Sequence, residues 1–162
     1  MEKSDVELLR TKRVRHVQPG DVTALKSIID ATGLFPSEML DGMIAGFLKG
    51  TAADECWLTI DNGGLKALAY YAAERMTAGT WNLLLIAVHP DHQRKGYGAA
   101  MVRAVEHELR KQGERLLLIE TSGLPAFERA RIFYDKLGYD REAKIRDFYS
   151  DGDDKIVFRK AL

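Results

Sequence analysis

The chain has 162 residues, a length for one domain, and its 46% hydrophobic and 30% charged residues are ordinary for a globular protein. Twenty-four Lys plus Arg balance 24 Asp plus Glu, and a net charge of zero argues against a dedicated nucleic-acid binder, which needs a basic surplus to neutralise phosphates. The single cysteine, Cys56, excludes an internal disulfide and a Cys-rich zinc site; with no secretory leader and no apolar run of membrane-spanning length, a soluble cytoplasmic protein is expected.

Residues 1–12 are polar and are expected to be a flexible N-terminal segment. A short strand is expected at Val14 to Val17, followed by the punctuation Pro19-Gly20-Asp21. Asp21 has the character of an N-cap, and Val22, Leu25, Ile28 and Ile29 give a helical stripe that ends at Gly33. A second helix follows Pro36, with Met39, Met43 and Phe47 as a core stripe beside Leu40, Ile44 and Leu48, and Gly50 closing it. Cys56 to Ile60 and Leu65 to Arg75 read as a hairpin around Asn62-Gly63, a pair suited to a type I′ turn with positive φ at both central residues. Trp81 to Val88 is a near-continuous apolar run, as expected of a strand buried on both faces. A helix starts near Gly96, with Met101, Val105 and Leu109 on one face, and ends at Gly113. A strand over Leu116 to Thr121, a helix over Ala126 to Leu137, and strands over Lys144 to Tyr149 and Lys155 to Lys160 complete the order. The pattern predicts an α/β fold with a mixed sheet.

The most informative segment joins the strand ending at Val88 to the next helix. Gln93-Arg94-Lys95-Gly96-Tyr97-Gly98 puts two glycines at a helix start, where free amides and the helix dipole favour an anion such as a pyrophosphate. The segment lacks the Gly-Lys-Ser/Thr ending of a Walker loop, and the third glycine and distant acid of a dinucleotide fingerprint. No spacing suits a metal: His89 and His92 read as surface residues, and Asp151 to Asp154 as a solvated turn without a calcium-loop pattern.

The run Val88-His89-Pro90-Asp91-His92-Gln93-Arg94-Lys95-Gly96-Tyr97-Gly98-Ala99 resembles the acyl-coenzyme A signature of the GNAT superfamily of N-acetyltransferases, Gln/Arg-x-x-Gly-x-Gly/Ala after a strand ending in Val-x-Pro. Ala130 to Tyr139 resembles its Ala-x-x-x-Tyr-x-x-x-Gly-Phe segment, and Ile145 to Tyr149 with Asp153 to Phe158 its last hairpin. The resemblance implies one N-acetyltransferase domain over 13–162, with a mostly antiparallel central sheet flanked by helices. It implies acetyl-coenzyme A as cosubstrate, no metal, and direct attack of a primary amine on the thioester. Gln93, Arg94, Lys95, Gly96, Tyr97, Gly98 and Ala99 would hold the pyrophosphate, and the backbone of Ile86 and Val88 the pantetheine arm. The Val88 amide would polarise the thioester carbonyl, and the strand ending near Glu120 would splay away from its neighbour. Tyr134 stands where relatives place the tyrosine that protonates the departing thiolate.

Two departures from the family pattern bear on mechanism. Many relatives carry Asn where this chain has Phe127, which removes one expected contact to the cofactor arm. Many also carry a glutamate base on the strand that here reads Trp81-Asn82-Leu83-Leu84-Leu85. Glu74, at the end of the neighbouring strand, and Glu120, flanked by apolar residues, are the candidate proton acceptors. The acceptor could be a small-molecule amine or a peptide or protein amine, and a homodimer through the C-terminal strands is within what the resemblance allows. A different acyl group, or a non-catalytic acyl-coenzyme A sensor, are the alternative readings. No nucleic-acid or membrane partner is expected.

Overall fold

A computed structural model describes residues 3–162; residues 1 and 2 of the expected flexible segment lie outside the described residues. Helix α1 spans Lys3–Lys12, where the sequence reading placed no element. There follow β1 (Val14–His16), α2 (Val22–Thr32), α3 (Leu40–Leu48), β2 (Glu55–Asp61), β3 (Leu65–Ala73) and β4 (Thr80–Val88). Helix α4 (Tyr97–Lys111), β5 (Leu116–Ser122), α5 (Glu128–Lys136), β6 (Asp140–Ser150) and β7 (Asp153–Ala161) complete the chain. The strands form a mostly antiparallel seven-stranded sheet in the order β1-β2-β3-β4-β5-β7-β6, with helices flanking it. The pair β4–β5 is parallel because α4 carries the chain back to the starting edge before β5 begins.

The chain divides into two compact units. One holds the described residues up to Ala72 together with Leu85–Glu108. Its core gathers Leu25, Ile28 and Ile29 of α2, Leu40 and Ile44 of α3, and Trp57 and Leu68 of the hairpin. The expected α3 stripe is therefore rotated by one position. Leu40 and Ile44 are fully buried, Met43 and Phe47 pack at the margin, and Met39 is exposed. Helix α4 buries Met101 and Val105 completely, as its four-residue spacing predicts.

Two local expectations in this unit are corrected. Asp21 makes no side-chain cap on α2, because its carboxylate is already taken. It accepts from Arg15 Nη1 at 2.7 Å, Arg15 Nη2 at 2.9 Å and the Gln18 amide at 2.8 Å. The β2–β3 hairpin forms, but Gly63 (φ 69°) and Gly64 (φ 106°) carry the positive φ values, not Asn62 and Gly63. A register shift at Ile60/Asp61 moves the turn along by one residue, and Asn62 Nδ2 is left to donate to the Tyr97 hydroxyl at 3.3 Å.

The second unit holds Ala73–Leu84 and Leu109–Leu162. Here β5 pairs with β7 along its whole length, from Leu116↔Ala161 to Ser122↔Lys155, and β6 covers the other side of β7. Both C-terminal strands are longer than the sequence suggested. The acidic turn between them is internally bonded: Asp147 accepts from the Gly152 amide and Asp154 from the Asp147 amide. Gly79 (φ 81°) turns the chain into β4, and its carbonyl accepts the amides of Arg115 and Leu116. Leu84 is half exposed, so β4 is not buried on both faces throughout.

Candidate active site

The first candidate region lies where β4 hands over to α4. His89-Pro90 ends the strand, a 3-10 turn at Pro90–His92 follows, and a loop leads to the helix at Tyr97. The Gln93 side chain donates to the Val88 carbonyl at 3.2 Å and closes this loop on itself. Gly96 has φ 81°, a left-handed conformation that side chains rarely adopt. A Cβ there would meet only Lys12 Cε, at 4.0 Å, so conformation and not crowding calls for glycine. The Ala100 amide donates back to the Gly96 carbonyl at 3.0 Å. The His92 and Gln93 amides are used on the His89 and Pro90 carbonyls, so it is the amides between Gln93 and Ala100 that stand at the anion-binding end of the helix.

Not every side chain of the segment faces a ligand. Tyr97 is buried, with its hydroxyl bonded to Asn62, so it offers its backbone. Lys95 Nζ donates to the Asp91 carbonyl at 3.1 Å. Arg94, at φ 60°, is the second left-handed residue of the loop. The unexpected cation is Lys12 of α1. Its Nζ donates to the Lys95 carbonyl at 2.9 Å and stands 4.6 Å from the Tyr97 ring centroid.

Two backbone bonds flank strands β3 and β4, each nine residues long. The Glu74 amide bonds the Thr80 carbonyl at 2.8 Å, and the His89 amide bonds the Lys66 carbonyl at 2.9 Å. Because the His89 amide points toward β3, the Val88 N–H and C=O point the opposite way. The β4–β5 ladder runs from Thr80↔Leu116 only to Leu83↔Ile119. Ile86 and Val88 lie beyond its last pair, so their backbone groups are not used by that ladder.

The second region gathers the acid–base candidates. Asn82, 2% exposed, donates from Nδ2 to Glu74 Oε1 at 2.9 Å and to Glu120 Oε1 at 3.1 Å. Glu120 Oε2 meets Lys155 Nζ at 3.0 Å, and that ammonium lies 3.8 Å from the Phe148 ring centroid. Glu74 and Glu120 were alternatives in the sequence, and the fold ties both to one amide. Tyr134 is buried in an aromatic cluster, 5.3 Å from the Phe158 ring and 6.3 Å from the Tyr139 ring. Burial pushes its phenol up to about 12, so it stays protonated at neutral pH. Phe127 is exposed at the start of α5. Among the described residues no group of His, Cys, Asp and Glu could hold a metal ion. Among them, too, no helix is long and apolar enough to cross a membrane.

The profile of the acetyltransferase (GNAT) domain matches residues 52–141, more than half of the chain and the span that carries the loop, Asn82, both glutamates and Tyr134. The chain belongs to the GNAT family. A crystal structure of a GNAT-family protein from Desulfovibrio desulfuricans is 32% identical and covers 91% of this chain and 97% of its own, with a TM-score of 0.84. The ribosomal protein bS18-alanine N-acetyltransferase of Escherichia coli K12 is 32% identical over 93 residues, 56% of this chain. The match spans 62% of that relative's length. An aminoglycoside 6′-N-acetyltransferase solved with coenzyme A shares the fold at a TM-score of 0.74 and 15% identity, over 91% of this chain and 96% of its own.

Asn82 and Lys155 were missed in this GNAT sequence for a physical reason. A lone amide in an apolar strand was a visible signal, but its two partners stand 8 and 38 residues away, one just past the end of β3 and one on β5. Lys155 stands 35 residues beyond Glu120 and is placed by the β5–β7 pairing.

Proposed function

We propose that this GNAT-family chain is an acetyl-coenzyme A-dependent N-acetyltransferase acting on a primary amine, with residues 13–162 as its catalytic domain. The observation that carries the reading is the left-handed Gly96 immediately before α4, which presents the amides of Arg94 to Ala99 to an anion, beside the Gln93 amide that closes the preceding turn on Pro90. Arg94 and Lys95 add positive charge to this loop. The cradle fits a coenzyme A pyrophosphate, and Ile86 and Val88 supply strand-edge groups for the pantetheine arm. The bound thioester supplies the acyl carbon and a thiolate leaving group.

The amine nitrogen forms a bond to that carbon as the C–S bond breaks. The Val88 N–H donates to the oxygen on which charge develops. The Glu74–Glu120 pair takes the proton released by the ammonium, and Tyr134 gives its proton to the departing thiolate. Holding amine and thioester together supplies effective molarity and much of the rate. The E. coli relative is named for the alanine of a ribosomal protein, so peptide α-amines head the list of acceptors to test. Small amines and lysine side chains follow.

Calorimetric titration with acetyl-coenzyme A, paired with a thiol-release assay over this panel, tests the reading. Binding with amine-dependent thiol release is expected. Binding without release over the whole panel would replace the enzyme by an acyl-coenzyme A sensor, and faster release from propionyl- or succinyl-coenzyme A would change the acyl group.

A further inference from the structure

We propose that Asn82 is a positioning residue that sets the geometry of the proton-accepting carboxylates Glu74 and Glu120; the inference rests on the acetyltransferase reading above. An asparagine side chain carries two N–H donors on one nitrogen. Here both are used, one on Glu74 Oε1 at 2.9 Å and one on Glu120 Oε1 at 3.1 Å. The orientation of the amide follows from chemistry, since the reverse would set its oxygen against two acceptors.

The other half of the amide explains why the residue is unusual. Asn82 Oδ1 is buried, and no hydrogen-bond donor among the described residues reaches it. A buried acceptor without a partner costs stability, and an apolar side chain would avoid that cost. The neighbours on β4 are Trp81, Leu83, Leu84 and Leu85, so an apolar residue is in keeping with the strand. An asparagine whose oxygen is orphaned stands there for what its nitrogen does. That nitrogen holds two like charges together from opposite sides of β4: Glu74 follows β3, and Glu120 lies on β5. Lys155 supplies one cation to the pair, on the Glu120 oxygen that Asn82 does not use. The Asn82 amide is what ties the half-buried Glu74 side chain to the place beside Glu120.

The test compares Asn82→Leu with the parent in steady-state kinetics, using acetyl-coenzyme A and the best amine of the panel, and in calorimetric melting. A loss of kcat of about tenfold or more is expected, with KM for acetyl-coenzyme A within about twofold. The melting temperature is read beside the kinetics to show that the variant is folded, since losing two hydrogen bonds to carboxylates opposes the gain from removing the orphaned oxygen. In a Glu74→Gln/Glu120→Gln background the same substitution should add less than about a twofold loss, since no carboxylate remains to be positioned. An unchanged kcat in Asn82→Leu overturns the proposal, as does a full multiplicative loss in that background. Should the leucine variant not fold, Asn82→Ser serves: one hydroxyl proton holds at most one carboxylate, so kcat should still fall, and a parent-like kcat overturns the proposal. A parent without turnover on any amine removes both this proposal and the acetyltransferase reading, whereas an active parent with an indifferent Asn82→Leu removes this one alone.

Discussion

Lys155 Nζ stands 3.0 Å from Glu120 Oε2, and both side chains are largely withdrawn from water, with 11% and 25% of their surface exposed. An ion pair at that depth is sensitive to the loss of one member, because the remaining charge is left without compensation. Lys155→Met should therefore lower stability by about 1–3 kcal/mol, less than a fully buried pair would lose. Adding Glu120→Gln should restore part of that loss, since the stranded charge goes with it. Denaturant melts of the two single variants and the double variant measure this. Additive losses would mean that the pair contributes nothing as a pair.

Gly96 stands at φ 81° with only the Lys12 stem near its missing side chain. Gly96→Asp places a negative charge at the helix end where an anion is to sit, and Gly98→Asp does so two residues later. Affinity for acetyl-coenzyme A should fall by about tenfold or more in each, while the fold survives. Gly96→Ala separates the two causes, because it brings backbone strain of about 1–2 kcal/mol without charge. Calorimetric titration reads the affinity and thermal melting the strain. Unchanged affinity in a folded Gly96→Asp protein would remove the loop from the binding site.

Tyr134→Phe deletes one hydroxyl inside the aromatic cluster of α5 and β7. Turnover should fall about 100-fold, with acetyl-coenzyme A binding nearly intact. The pH dependence has a definite sign. Burial raises the folded-state phenol from 10.0 to about 12, so Tyr134 keeps its proton throughout the usual assay range. Its contribution to stability is complete below pH 10, the unfolded value, and is lost as pH rises toward about 12. The parent should destabilise over that alkaline window more steeply than Tyr134→Phe. Identical alkaline melting curves would show that the phenol is not held in its neutral form by the fold.

Much of this molecule was legible locally. The hydrophobic period placed α2 and α4, apolar runs placed β4 and β5, and Gly33, Gly113 and Gly138 all take the positive φ that suits a helix C-terminus. The anion-binding loop was legible for the same reason: a strand end, two glycines and a helix start are consecutive in the chain, so short-range sterics decide their geometry. Where a cap or turn rule met a competing contact, the rule lost. Asp21 had the chemistry of a helix cap, but the Arg15 guanidinium on β1 reaches its carboxylate with two N–H donors and holds its pKa below the ordinary value. Asn62-Gly63 had the chemistry of a type I′ turn, but the register of β2 against β3 passed the positive φ values to Gly63 and Gly64. The acid–base cluster lay wholly beyond local rules. A two-residue period says which face of a strand a side chain occupies, not which strand lies beside it. Only the order β3-β4-β5-β7 brings Asn82 to Glu74 and Glu120, and Glu120 to Lys155, because strand neighbours are chosen by burial and crossover handedness across the whole sheet, and the chain between them carries no record of that choice.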